Sequence, residues 1–391
     1  MSYFREEPEH IALLRDSMRR FGAQEMPADK VREWEKAGHF ERSVFDKLGK
    51  TGVCGLTIDE EYGGAGRDIF AATVVIEELI QFGLIAAGGF IHSAFYGGLN
   101  ISENGSKAQK EELLPKLARG EMLMAYGLSE PDVGGDLPMV RTTARKSDNE
   151  QKVILNGTKR WCTLAPHADY ILCLVNSDPE APKYKNLSMV LVPPTAPGVE
   201  IFNIDHMGFR YGPTCDVVFT DTEVPIDNIL GGPEGWGRGW SMLAGRALEV
   251  EKIEVSSIAY GIASAAMDLA WNYSQERKQF GKAICGHQAV RHKLVEAKTK
   301  LEACRHMLYH AAWLADEDMP CSVETSMAKL FVADTAVEIV LACQQVMGAY
   351  GCATEYNMER HVRDITLLPI VGGSSDIQRN NIANRLGLPT G

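Results

Sequence analysis

An α+β fold in three parts is predicted: a helical N-terminal domain over residues 1–120, a small β-barrel or sandwich over 121–235, and a four-helix bundle over 236–391. Three observations predict it. Apolar residues recur at spacings of three and four up to about residue 120, the period changes to two as far as about 235, and the helical period then returns to the C-terminus. A chain of 391 residues also exceeds one ordinary core.

In the first part Ile11, Leu14, Met18 and Phe21 mark one helix face, and further helices are expected over about 68–82 and 106–117. A glycine-rich loop, Glu61-Tyr-Gly-Gly-Ala-Gly, precedes the helix expected over 68–82. In the middle part Val153 and Leu155 alternate before Asn156-Gly157, a dipeptide that predicts a hairpin turn. Ile171, Cys173 and Val175 alternate with Leu172 and Leu174, which predicts a strand buried on both faces. Met189, Leu191, Val217 and Phe219 mark further strands before Pro- and Gly-rich turns. The last part carries helical patterns near 238–275, 286–316, 322–350 and 375–386.

Composition narrows the function. Forty basic against 52 acidic residues give a net charge of −12, which argues against nucleic acid or an anionic membrane as partner. Nine cysteines without a C-x-x-C pair suit a reducing compartment and give no disulfide framework. His287 and His292 lack partners at ligand spacing, so no metal site is expected. The acidic N-terminus is unlike a signal peptide, and the apolar stretch 258–271 is too short to span a bilayer. A cytoplasmic protein is expected.

Two segments carry ligand chemistry. Residues 125–136 read Ala-Tyr-Gly-Leu-Ser-Glu-Pro-Asp-Val-Gly-Gly-Asp, and 156–163 read Asn-Gly-Thr-Lys-Arg-Trp-Cys-Thr. Gly127, Gly134 and Gly135 let backbone N–H groups approach phosphate or ring oxygens. Trp161 offers a flat apolar wall, flanked by the hydroxyls of Ser129 and Thr163. Either segment alone reads as a loop of a β-domain. Together they favour a planar cofactor carrying a diphosphate, a flavin.

A carboxylate on an apolar helix face supplies the candidate base. At about 100° per residue, Leu248, Val255, Ile258, Ala259, Ile262, Ala266 and Leu269 share one arc. Glu251 falls inside it, Glu254 near its edge and Glu249 outside. A buried carboxylate is costly unless it is paired or has a task, and burial raises its pKa toward the range a general base needs. Farther on, Arg277 can pair with a diphosphate. Small residues in Gln345-Val-Met-Gly-Ala-Tyr-Gly351 permit close approach of a ligand or another chain. Val371-Gly-Gly-Ser-Ser-Asp-Ile-Gln378 opens the last helix, with Ser374 or Ser375 as an ordinary N-cap or its free N–H groups facing an anion.

With six motifs in order over nearly its whole length, the chain resembles the acyl-CoA dehydrogenase family. The resemblance implies FAD, a homotetramer, an acyl-CoA substrate and an electron-transfer flavoprotein as acceptor. By motif match it implies that Tyr126, Leu128, Ser129 and Gly135 line the flavin and its diphosphate. Trp161, Cys162 and Thr163 would face the isoalloxazine, and Arg277, Phe280, Gln288, Gln345 and Gly348 would reach the FAD of a neighbouring subunit. Ser374 and Asp376 would close the site. The implied reaction removes a proton α to a thioester and passes a β hydride to flavin N5, with a ribityl hydroxyl and a backbone N–H near the last motif polarising the thioester oxygen.

Three positions depart from the family pattern, and with Gly373 they make up the expected substrate wall. Gly372 stands where many members carry the catalytic glutamate. In isovaleryl-type and long-chain-type members the base sits instead on the helix matched by Leu248-Glu-Val-Glu-Lys, which selects Glu251. Lys252 replaces a common arginine, and Gly135 a serine that often touches cofactor and substrate. The expected enzyme is therefore an FAD-dependent acyl-CoA dehydrogenase giving a trans-2-enoyl-CoA. Its competitors are a same-fold enoyl-CoA reductase or lyase-like enzyme, and a flavin oxidase or monooxygenase acting on a substrate without CoA.

Overall fold

The computed structural model describes residues 7–389. Its first part is helical: α1 (Glu9–Glu25), α2 (Ala28–Ala37), α3 (Arg42–Gly49), α4 (Ile69–Ile80), α5 (Leu84–Phe90), a π-helical segment (Ile91–Leu99), α6 (Asn100–Asn104) and α7 (Lys107–Ala118). Side-chain caps set two of the expected starts. Asp68 accepts from the Ala71 N–H, and Ser106 with Gln109 forms a capping box. The helical stretch from Leu84 to Asn104 has no counterpart in the predicted elements. All of α5 and most of the π segment is buried, so no polar face marks its period.

Strands β1 (Met124–Gly127), β2 (Thr143–Lys146), β3 (Lys152–Thr163), β4 (Tyr170–Asn176), β5 (Leu187–Val192), β6 (Val199–Asn203) and β7 (Thr214–Pro225) form the middle part. They hydrogen-bond as one seven-stranded mixed sheet in the order β1-β4-β2-β3-β7-β6, with β5 on β4. Residues from β4, β5, β3 and β7 share one apolar cluster, so the sheet wraps around its own core. The double-sided reading of β4 holds: Ile171, Cys173 and Val175 enter that cluster, while Leu172 and Leu174 enter another that includes Leu113 and Leu117 of α7.

Asn156-Gly157 is not a hairpin turn. It lies inside β3, where the register against β7 shifts between Leu155 and Gly157. The glycine serves a bulge and a close approach: its φ is +141°, and a Cβ there would lie 2.7 Å from the Cα of Thr142. Gly157→Ala is expected to lose ~1–3 kcal/mol of stability. Denaturant unfolding checks this, and a variant as stable as the parent would remove the close-approach explanation.

After β7 come α8 (Gly239–Met242), a π turn (Leu243–Ala247), α9 (Leu248–Glu276), and the short hairpin β8 (Lys278–Gln279) and β9 (Lys282–Ala283). Helices α10 (Gln288–Asp316), α11 (Ser322–Met347) and α13 (Ser375–Arg385) complete the expected four long segments, with α12 (Met358–Ile365) in addition. The bundle shares one continuous apolar cluster with α1–α5. Arg15 of α1 bonds Glu77 and Glu78 of α4 at 3.1 and 2.6 Å, and Tyr309 of α10 donates to Glu77 at 2.9 Å. Two stretches, Leu84–Asn104 and Ser322–Cys352, are apolar and long enough to cross a membrane, and the first is packed almost entirely inside the protein. All nine cysteines are free, and no metal-ligand cluster occurs among the described residues.

Candidate active site

The two ligand-bearing segments meet. The Arg160 N–H donates to the Ser129 carbonyl at 2.9 Å, and Lys159 Nζ reaches the Leu128 carbonyl at 3.1 Å and Glu130 Oε1 at 2.9 Å. Lys159 is fully buried, and Glu130 also accepts the N–H groups of Arg141 and Thr142. Burial alone would raise the Glu130 pKa, but Lys159 and these donors bring it below the usual value. This buried pair fixes the segment holding Leu128, Ser129 and Gly135 to the strand holding Trp161, Cys162 and Thr163. Sequence reasoning missed it, although both residues lie inside the quoted motifs.

A second irregularity in β3 presents Trp161. The register with β7 shifts between Lys159 and Cys162, and Trp161 adopts φ +67°. Its ring is left 53% exposed, with the Arg160 guanidinium 4.9 Å from its centroid. The next residue, Cys162, is buried opposite Cys215, and Thr163 Oγ1 lies 3.3 Å from Thr214 Oγ1. A bulge that turns a large apolar ring outward beside glycine-rich backbone fits a flat aromatic cofactor.

The start of α13 closes on this region. A Cβ on Gly135 would lie 3.0 Å from Ile377 Cδ1, so the loop of residues 128–136 rests against the helix. Ser374 is a true N-cap, accepting from the Ile377 N–H, while Asp376 is exposed and pairs with Arg379. Gly372 and Gly373 have positive φ, and Gln378 Nε2 donates to the Gly373 carbonyl at 2.9 Å. Arg277, Phe280, Gln288, Gln345 and Gly348 lie around the ends of the long bundle helices. The Arg277 guanidinium sits over Tyr350, Lys293 donates to Gln345, and Phe280 is 93% exposed. Among the described residues, no hydrogen bond, ion pair or ring contact joins these five to the Trp161 group.

Glu251 is half-buried near the start of α9 and makes no hydrogen bond or ion pair among the described residues. It is surrounded by protein yet still reachable, as expected of a carboxylate on a cleft wall. Burial raises its pKa to about 7, against the pull of Lys252 and Lys329. Lys252 is buried and donates to Ser326 Oγ of α11 at 3.0 Å, so its ammonium is turned into the bundle. The expectation for Glu254 needs correction. It is 2% exposed and deeper than Glu251, because α9 runs through the centre of the molecule and buries residues all round. Beside these carboxylates, Tyr96 of the π segment stacks on Tyr126 with centroids 4.2 Å apart, and Asn100 Nδ2 donates to the Tyr126 hydroxyl at 2.6 Å.

Family models match the chain in the same order as its parts. The acyl-CoA dehydrogenase N-terminal domain matches residues 8–121, the middle domain 125–222 and the C-terminal domain 237–387. The chain belongs to the acyl-CoA dehydrogenase family. It is therefore a flavoprotein oxidoreductase that uses FAD and acts on CH–CH donors. It is 35% identical to an acyl-CoA dehydrogenase of Bacillus subtilis over 96% of this chain and 97% of the relative. It is 34% identical to the 3-(aryl)acrylate reductase of Clostridium sporogenes over 98% and 99%. A chain in the structure of the electron transferring flavoprotein of Acidaminococcus fermentans superposes with a TM-score of 0.91 at 32% identity, covering 98% of this chain and 100% of that one.

Proposed function

We propose that the protein is an acyl-CoA dehydrogenase in which Glu251 removes the α proton of a thioester, giving a trans-2-enoyl-CoA. The observation that carries this reading is a half-buried, unpaired carboxylate on α9 whose pKa burial raises to about 7. FAD, when bound, supplies the acceptor for the β hydride. Trp161 and Thr163 would face its ring, with Cys162, whose side chain is buried in the sheet core, offering backbone only; Tyr126, Leu128, Ser129 and Gly135 would line the ring edge and the diphosphate. Ser374 and Asp376 close the site from α13. Gly135, Gly372 and Gly373 form the substrate wall, with the backbone around Gly373 polarising the thioester oxygen. Lys252 acts from behind Glu251, through charge rather than contact.

Arg277, Phe280, Gln288, Gln345 and Gly348 serve the FAD of a neighbouring subunit in a homotetramer, a role that suits the exposed Phe280. The divisions at about 120 and 235 separate the three domains. The acceptor is an electron-transfer flavoprotein, a reading supported by the Acidaminococcus structure, and the enzyme is cytoplasmic. Anaerobic addition of a panel of acyl-CoAs to the holoenzyme tests the assignment: at least one saturated thioester bleaches the flavin and yields its enoyl product. Failure of every saturated thioester, with flavin reoxidised by an enoyl-CoA, would establish the reductase direction that the Clostridium relative favours. Rapid reoxidation by oxygen with peroxide or a hydroxylated product would establish an oxidase or monooxygenase.

Gly372 shuts the alternative base position. Its φ is +62°, and a Cβ there would lie 2.6 Å from Val255 Cγ2. Moving the base by Glu251→Gly with Gly372→Glu is therefore expected to restore less than about 1% of flavin reduction, an arrangement ~1–3 kcal/mol strained by φ alone. Single-turnover reduction of the double variant checks this. Recovery to wild-type rates would show that Val255 yields freely.

A further inference from the structure

The mechanism leaves one buried carboxylate without work. Glu254 lies one helical turn beyond Glu251, about 4.5 Å along the axis, and is 2% exposed. Its Oε2 has no hydrogen-bond partner. An unpartnered buried polar atom is costly, and native structures rarely keep one without a reason. Three phenols surround it electrostatically: Tyr96, Tyr126 and Tyr211 each feel its charge. Tyr96 and Tyr126 are themselves only half-buried, like Glu251, and both also lie within electrostatic reach of Glu251. His92 stands behind them, 3.4 Å from the Tyr211 hydroxyl and bonded to the Met124 carbonyl.

Depth gives this arrangement a direction. A thioester must enter with its bulky CoA outside, passing the reachable Glu251 before the enclosed Glu254. Glu254 therefore stands beside the acyl chain, a few carbon–carbon bonds beyond the reacting α carbon. We propose that Glu254 is a specificity-determining residue, and that the preferred substrate is an acyl-CoA bearing a hydroxyl on its acyl chain. The inference rests on the acyl-CoA reading given above.

Other chain ends fit less well. An alkyl end leaves Oε2 unpaired. A carboxylate end would place a second negative charge beside that of Glu251. A hydroxyl donates to Oε2 and can accept in return from a phenol, completing the ring of hydroxyls. An ammonium needs an anionic partner, whereas burial and the nearby Glu251 push Glu254 well above the usual carboxylate range and favour its neutral form.

The test measures binding on the FAD-loaded Glu251→Gln protein, in which the proposed base is absent. Calorimetry compares butyryl- and hexanoyl-CoA with counterparts hydroxylated at the fourth to sixth carbon, and with ω-amino and ω-carboxy analogues. At one chain length, the hydroxyl form is expected to bind about 10²-fold more tightly than the alkyl form. Adding Glu254→Leu should erase the hydroxyl preference, whereas Glu254→Gln, which keeps a hydrogen-bonding group of the same shape, should retain it within about tenfold. FAD content and circular dichroism report folding, and the Gln variant carries the comparison if the Leu variant fails to fold. Equal binding of alkyl and hydroxyl forms, a hydroxyl preference that survives Glu254→Leu, or tighter binding of the amino form would overturn the proposal. In the wild-type enzyme, a hydroxyl preference in binding without flavin reduction would sink the dehydrogenase reading and leave Glu254's role standing. Flavin reduction by alkyl and hydroxyl forms at equal kcat/KM would do the reverse.

Discussion

Glu251→Gln is expected to retain bound FAD and to lose flavin reduction by acyl-CoA by about 10²-fold or more. The amide keeps the shape of the side chain but cannot take a proton. Anaerobic stopped-flow bleaching measures the effect, and reduction of the variant at the wild-type rate would end the base assignment. The same residue sets a pH dependence. Burial raises the Glu251 pKa from an ordinary 4.5 to about 7, and only the ionised form accepts a proton. The rate of reduction should therefore fall as pH drops below about 7, and this limb should vanish in the Gln variant. Stability runs the other way. Because the folded-state pKa lies above the unfolded value, folding favours the protonated form, and this contribution is lost as pH rises from about 4.5 through 7. Lys252 and Lys329 favour the ionised form of Glu251, and that charge in turn raises the pKa of the buried Glu254. Glu251→Gln is accordingly expected to raise the thermal midpoint at pH 8 relative to wild type and to leave it nearly unchanged at pH 4. An inactive but more stable variant is the usual signature of a strained functional group.

How much of this was legible in the sequence depends on whether the deciding forces are local. Asp68 and Ser106 announce helix starts because a cap is a short-range hydrogen bond. The five apolar residues of 171–175 announce a doubly buried strand because their alternation persists on both faces. The stretch 84–104 announces nothing: buried on nearly every side, it has no polar face from which a period could be read. Asn156-Gly157 misleads because the same φ-positive glycine that builds a hairpin also builds a bulge, and only the approach of Thr142 decides between them. The apolar arc on α9 includes Glu251, but it places Glu254 at the edge because it assumes a single buried face. With α4, α10, α11 and α12 packed around α9, the edge itself becomes interior. Trp161 was visible as a ring, whereas its outward aim comes from a register shift against β7 that no local pattern encodes.

The buried Lys159–Glu130 pair is where that non-local information should show most clearly in experiment. Lys159 has no exposed surface, and its ammonium is shared between Glu130 Oε1 and the Leu128 carbonyl. Lys159→Met removes the cation and leaves a buried carboxylate held by two backbone N–H groups alone. Breaking one partner of such a pair costs ~3–5 kcal/mol, whereas an exposed pair such as Lys30–Glu33 is screened by solvent and contributes little. Lys30→Met therefore serves as the control and should barely move the unfolding midpoint. Adding Glu130→Gln to Lys159→Met neutralises the stranded charge and should recover much of the lost stability. It should not recover the cofactor, because the tie from Lys159 to the Leu128 carbonyl is still gone and the backbone of 128–135 is held against Trp161 only by the Arg160 N–H bond to the Ser129 carbonyl. The measurement is the FAD-to-protein ratio after gel filtration, read beside denaturant unfolding. If the double variant regains both stability and full flavin content, the pair supports the fold alone; if it regains stability without flavin, the pair is what holds the two ligand-bearing segments in register.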